Sequence, residues 1–426
     1  MNRFYIIFLG VILFFGNNII INFGLSSKYV NAIYLVISLI LIAINRDIVL
    51  YKNKWLKILL LYLAVFSAYQ IFIVGGEGSL TIPLLLCCSP FVFSCFPSYS
   101  GSCKRLQESL FNVLIIFFIV ECSIALLERI LWINFFPWHM DDFGIVEAEI
   151  FDNAKEFRSC SLLGQSLQNA LVVSTIMTFI LVSNMRNEYK YSLWTLGYMS
   201  ILCFNTRTSI VGNVLILVFY SFCQTLKSGR LKLSLLLKVL PAFGVIALLV
   251  FNFGLGGRLL DMGLVDDSSA QTRIDTWNIF YFFDIKEFLY GLSQDKVRIV
   301  LLQSRLKVTE NFWIDFLLRL GLVFIVIWTF LYVKVVLQLY KGYKRLPAFI
   351  TASTFLLLAS TNNSLSATWI PLFIFLFSIY IFKIYNHEQK KSVIKRKILY
   401  MSLKNRIIDK YDNLISSNIT KQKERT

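Results

Sequence analysis

Histidine and charge are both scarce in this sequence. Its 426 residues include two histidines, and 16% are charged against 57% hydrophobic, with a mean hydropathy of +0.66. Soluble domains carry about 25% charged residues, so the composition argues against a large water-exposed fold. The two histidines, His139 and His387, are far apart in sequence and leave no imidazole cluster and no Ser-His-Asp arrangement. His139, alone in its loop, reads as structural. The eight cysteines fall in or beside apolar runs, without a C-x-x-C pair. Neither a disulfide framework nor a structural metal is expected from them. No glycine-rich phosphate loop occurs, which speaks against an ATP-driven machine. The apolar runs do not alternate every second residue, which disfavours a β-barrel.

Long apolar runs are what the chain has in quantity. They lie at 4–25, 29–44, 56–74, 79–96, 109–131, 160–183, 191–205, 209–226, 237–255, 311–335, 346–361 and 368–385. Most approach the length needed to cross about 30 Å of hydrocarbon. The expected fold is an all-α polytopic membrane protein with about twelve transmembrane helices. The first run is too long for the apolar core of a signal peptide and lacks a small-x-small cleavage site, so it is kept as a helix.

The net charge of +17 is unevenly spread. Arg3, Arg46, Lys52, Lys54, Lys57, Lys104, Arg105, Arg186, Lys190, Lys227, Arg230, Lys334, Lys341 and Arg345 fall in alternate loops or at the run ends beside them. The positive-inside rule then places both termini in the cytoplasm. This charge does not require a nucleic-acid partner. The chain divides into a transmembrane domain, 1–385, and a basic cytoplasmic tail, 386–426, which either rests on anionic lipid or is a solvated end. Two outer loops are long. Residues 132–158 are acidic and aromatic, and 256–308 contain "SSAQTRIDTWNIFYFFDIKEF". Ala270, Ile274, Trp277 and Tyr281 there have the spacing of an amphipathic helix lying at the interface.

The outer face is where basic residues should be few, so those that occur are candidates for chemistry. Arg207, in "CFNTRTSIVG", sits in the turn before the eighth run. A helix N-terminus presents unpaired N–H groups and partial positive charge, and an arginine beside it makes a site for a phosphate. The alternative is an arginine snorkelling to headgroups. Arg273, on the proposed interfacial helix, is expected to face the same phosphate site. Arg158, taken to stand at the start of the sixth helix, and Arg258 are further candidates, with interface anchoring as their alternative. Glu310 opens the tenth run, with Thr309 as its expected cap. Its carboxylate would either orient and deprotonate a hydroxyl or serve as an ordinary N-terminal acid. Asp315 and Arg319, four apart, read as an internal ion pair. Glu121, near the middle of the fifth run, has no partner legible in the sequence.

Four short elements, in order, resemble the bacterial O-antigen polymerases of the Wzy type, relatives of the O-antigen ligases. They are Arg158 followed by "SLLGQSLQNA", then "NTRTSIVGNVL", then "SAQTRIDTW" with its following "YGLSQ", and finally "ENFWIDFLLRLGL". Together they cover about residues 158–325. The resemblance implies a GT-C-like architecture with two long periplasmic loops in the bacterial inner membrane. It implies a metal-independent glycosyltransferase without a cofactor. The partners it implies are undecaprenyl-pyrophosphate-linked oligosaccharides, membrane lipids and a possible polysaccharide chain-length regulator. By position, Arg207 and Arg273 would hold the pyrophosphate, with Arg158, Arg258, Asn311 and Trp277 binding substrate and Glu310 as candidate base. The ligases carry a histidine where this chain reads Thr309-Glu310-Asn311, which favours a polymerase. A ligase and a lipid-linked oligosaccharide flippase are the alternatives.

Overall fold

The computed structural model describes residues 2–16, 19–20, 24, 27–74, 81–98, 104–137, 157–228, 276–304, 306, 309 and 311–383. The expected span 237–255 and the basic tail lie outside these residues, as do Arg258, Arg273, Glu310, His139 and His387. Among the described residues no β-strand forms, and a single bridge joins Ile48 to Pro97.

The helices in chain order are α1 (Asn2–Phe14), α2 (Ser27–Ile44), α3 (Val49–Lys52), α4 (Lys54–Tyr69), α5 (Thr81–Ser94), α6 (Lys104–Leu131), α7 (Ser166–Val182), α8 (Asn187–Phe204) and α9 (Arg207–Ser228). They continue with α10 (Ile285–Tyr290), α11 (Gln294–Gln303), α12 (Phe312–Leu339), α13 (Arg345–Ser360), α14 (Ser364–Ala367) and α15 (Ile370–Lys383). Four stretches, Lys54–Phe72, Arg105–Leu131, Arg207–Leu226 and Phe312–Leu339, are long and apolar enough to cross a membrane. The protein has the character of a membrane protein.

α7 lies at the centre. Its sequence, SLQNALVVSTIMTFILV, carries no charge and is buried on every side, as expected of a helix without a polar face. It packs against α8 and α13, while α6 packs against α8 and α1. Phe179 of α7 meets Phe375 and Phe382 of α15, at 6.3 and 5.5 Å between ring centroids. By contrast, α9 and α12 expose Leu215, Val218, Phe222, Val326, Phe330 and Leu337. Apolar faces of that extent suit lipid rather than water.

Side-chain bonds gather the basic helix ends on one side of the bundle. Asn45 Nδ2 donates to the Tyr5 hydroxyl at 3.0 Å. Lys52 pairs with Asp47 at 2.7 Å, and Ser98 Oγ donates to the same carboxylate at 2.6 Å. Gln338 Nε2 donates to the Lys52 carbonyl at 3.2 Å, and Lys334 lies 5.6 Å from the centre of the Trp55 ring.

Two helix boundaries differ from expectation. The first helix ends at Phe14 rather than continuing to 25, where the chain reads Phe-Gly-Asn-Asn and the Phe15 carbonyl accepts from the Tyr34 hydroxyl at 3.0 Å. The sixth begins at Ser166 rather than 160, for a reason that belongs to the site.

Candidate functional site

The residues between α6 and α7 do not join the helix that follows them. Positions 157–165 form a strap, with Ser161 and Gly164 at positive φ (45° and 79°). Arg158 therefore stands eight residues before α7 rather than at its start, which corrects the expectation. Carboxylates from α6 hold the strap. Glu128 Oε2 accepts from the backbone N–H groups of Cys160 and Ser161, both at 2.8 Å. Its Oε1 accepts from Phe135 N–H at 2.8 Å. Two turns earlier Glu121 Oε2 accepts from Leu162 N–H at 3.2 Å. Glu121 thus has the partner that sequence could not supply, although its Oε1 is buried with no hydrogen bond.

The strap consequently runs along the last turns of α6. Glu121 and Glu128 are seven positions apart, about 10 Å along the axis of α6, and strap residues touch both. Beside a helix of membrane-spanning length, non-helical backbone is tolerated only where protein surrounds it or water reaches it. Further bonds fix it sideways. Arg129 Nη1 donates to the Phe157 carbonyl at 3.1 Å, and its guanidinium lies 5.3 Å from the Trp132 ring centre. Ser159 Oγ donates to the Ala125 carbonyl at 2.8 Å. Asn169 Nδ2 donates to the Cys160 carbonyl.

The strap meets the turn that carries Arg207. Ser159 N–H donates to the Cys203 carbonyl at 3.1 Å, and Asn205 Nδ2 reaches the Phe157 carbonyl at 3.5 Å. Asn205 ends α8 in the left-handed region (φ 54°, ψ 40°), a conformation asparagine tolerates better than most residues. Arg207 is then the first residue of α9, with the Thr206 carbonyl accepting from Ile210 N–H at 3.0 Å. Its address at a helix N-terminus agrees with the sequence reading.

Two more helix ends close on this turn. Thr361 Oγ1, just after α13, lies 3.3 Å from Thr208 Oγ1. Asn311 caps α12 by accepting from Trp313 N–H at 2.8 Å, and its Nδ2 donates to the Ser360 carbonyl at 3.2 Å. Trp313 Nε1 donates to Ser360 Oγ at 2.9 Å. The cap is Asn311 and not Thr309, because only Asn311 has its oxygen over the first turn. The acid in that turn is Asp315, which pairs with Arg319 at 2.9 Å as expected. Arg158, Arg207 and Asn311 are thereby brought to one end of the bundle, where the N-termini of α9 and α12 bring partial positive charge. Such an arrangement favours an anion.

Trp277 is not part of this group. The helix expected through it is broken: a 3₁₀ turn covers Ile279–Phe282, and a separate α10 begins after Asp284, whose N–H donates to the Glu287 carboxylate at 3.1 Å. Lys296 and this N–H hold the Glu287 carboxyl below its usual range. Trp277 is 65% exposed and Tyr281 86%, whereas Ile279 packs with Leu292, Val297 and Val300 against Ile314 and Leu318 of α12. The two outward aromatics keep the exposed face that an interfacial segment needs, but the Trp277 ring contacts Phe280 at 5.7 Å rather than Arg207 or Asn311.

Two glycines join this segment to α12. Gly321 breaks the helix at φ 79°, ψ 165°, and Leu292 N–H donates to the Leu318 carbonyl at 2.7 Å. A Cβ on Gly291 would lie 2.7 Å from the Arg319 carbonyl oxygen. The "YGL" and "LGL" elements of the sequence are therefore in backbone contact.

Glu128 and Arg129 were not chosen from sequence as functional groups. The available signal was three positions on one face of α6, Glu121, Ala125 and Glu128, all of which bond the strap. No protein-family model matches the chain, and neither does any curated protein.

Proposed function

We propose that the protein is a repeat-unit polymerase: a glycosyltransferase of the bacterial inner membrane with about twelve spans, both termini in the cytoplasm, and the Arg207 end facing the periplasm. It transfers a growing glycan from undecaprenyl pyrophosphate to the sugar of another lipid-linked unit, as the O-antigen polymerases it resembles do. The observation that carries the reading is the backbone bond between Ser159 and Cys203, which sets the strap bearing Arg158 against the turn bearing Arg207.

In the proposed reaction an acceptor hydroxyl oxygen attacks the anomeric carbon. The bond from that carbon to the diphosphate oxygen breaks, its electron pair leaves with the diphosphate, and the hydroxyl proton passes to a base. Arg207 and Arg158 stabilise charge where it develops, on the leaving group. A unit-charge pair at 4 Å contributes about 4 kcal/mol at an effective dielectric near 20, before desolvation. Two guanidinium groups are therefore enough to matter. Arg273, Arg258 and the base Glu310 complete the proposed set from the resemblance. The basic residues at the opposite end of the bundle support the orientation.

Reconstitution with purified lipid-linked repeat units tests the reading. Growth of a ladder without added lipid core is expected. Transfer to lipid core alone would mean a ligase, and movement of the lipid-linked unit across the bilayer without new bonds would mean a flippase.

A further inference from the structure

Arg158 is unusual in how its backbone is held. The carbonyl before it, of Phe157, accepts from Arg129, and the N–H after it, of Ser159, donates to Cys203. The next two N–H groups, of Cys160 and Ser161, both end on one oxygen of Glu128. The same carboxylate takes Phe135 N–H on its other oxygen. A single side chain of α6 thus fastens both the chain leaving α6 and the strap returning to α7. Meanwhile Arg158 Nε is buried and finds no acceptor among the described residues. A buried donor without an acceptor is unfavourable unless a ligand or water supplies one, and a donor fixed before its ligand arrives loses little freedom on binding.

We infer that Glu128 is a positioning residue: its carboxylate clamps the strap so that the Arg158 guanidinium is presented, preorganised, to a diphosphate. The inference rests on the diphosphate site proposed above. Both oxygens of Glu128 act as acceptors, and this is the requirement glutamine cannot meet. In Glu128→Gln the side-chain amide would turn its NH2 group toward Phe135 N–H or toward the Cys160 and Ser161 pair, donor against donor.

The test uses the full chain in lipid nanodiscs and geranylgeranyl diphosphate as probe, a ligand with no sugar to transfer. Glu128→Gln and Arg158→Gln are each expected to weaken binding about tenfold, the range of a lost charge-assisted hydrogen bond. The double variant should bind no more weakly than either single one, because Glu128 acts through Arg158. Hydrogen exchange should show faster exchange in peptides covering 157–165 in Glu128→Gln, with α7 and α13 unchanged. Should Glu128→Gln fail to fold, Ser159→Ala loosens the same strap through the Ala125 bond alone. It should weaken binding several-fold in the wild-type background and not at all with Arg158→Gln.

Wild-type affinity in Glu128→Gln, or full additivity of the two substitutions, would overturn the positioning role. A wild-type protein that binds no diphosphate would instead overturn the site reading beneath it. Diphosphate binding without polymer formation would sink the polymerase and leave Glu128 in its role.

Discussion

Replacing Gly321 by alanine should unfold the contact between α12 and the segment before it. At φ 79°, ψ 165° the residue occupies a region reserved almost entirely for glycine, where a side chain costs about 1–3 kcal/mol. The new Cβ would lie 2.4 Å from the Leu289 carbonyl oxygen and 2.5 Å from Gly291 N. Neither atom is the end of a flexible side chain. Both belong to backbone held by the bond from Leu292 to the Leu318 carbonyl, so relief requires the whole 289–292 segment to withdraw. Overpacking of this sort adds about 1–3 kcal/mol, giving a combined loss of roughly 2–6 kcal/mol. Gly10→Ala supplies the control. Gly10 is inside α1 and a Cβ there would meet nothing within 4 Å, so alanine should be neutral or stabilise by about 0.5–1 kcal/mol. The assay is apparent melting temperature in detergent for both variants. Equal melting temperatures for Gly321→Ala and Gly10→Ala would refute the backbone-contact reasoning.

Asn311→Ala removes a cap and a bond to the Ser360 carbonyl, so it should cost about 2 kcal/mol. Asn311→Asp keeps the capping oxygen, loses the Nδ2 donor and should recover about half of that in the same melting assay. Equal losses in the two variants would mean that the cap contributes nothing. For pH, the Lys296 partner and the Asp284 N–H hold the folded Glu287 carboxyl down, so its contribution is present above the unfolded value and lost as pH falls through the folded one. The melting-temperature difference between wild type and Lys296→Met should therefore persist from pH 7 to 5 and shrink below about pH 4. Asp47, held down by Lys52 and then Ser98, should behave in the same sense in Lys52→Met. A difference that stays constant down to pH 3 would contradict both assignments.

Apolar runs made most of the helices legible, because a helix surrounded by other helices or lipid needs no polar face. The Asp315–Arg319 pair and the helix-start position of Arg207 were equally local and equally readable. The strap was not. "CSLLGQ" at 160–165 is apolar enough to pass for the start of a helix. What keeps it out of the helix is a pair of carboxylates more than thirty residues earlier in the chain, a partnership that no local pattern encodes. For the same reason the sequence shows no partner for Glu121 and nothing that marks Glu128. The break at Phe283–Asp284 was readable in principle, since Asp284 and Glu287 have capping-box spacing, but the continuous aromatic spacing through Trp277 and Tyr281 masked it. Thr309 and Asn311 are both competent caps by type, and only the approach of Ser360 from α13 selects Asn311.

Ladder growth from lipid-linked repeat units in vesicles, with Arg207→Ala compared against Arg186→Ala at the opposite end of α8, measures the central claim most directly. The predicted result is normal protein level for both, polymer from Arg186→Ala, and single repeat units only from Arg207→Ala. Wild-type ladders from Arg207→Ala would contradict a diphosphate site at that end of the bundle.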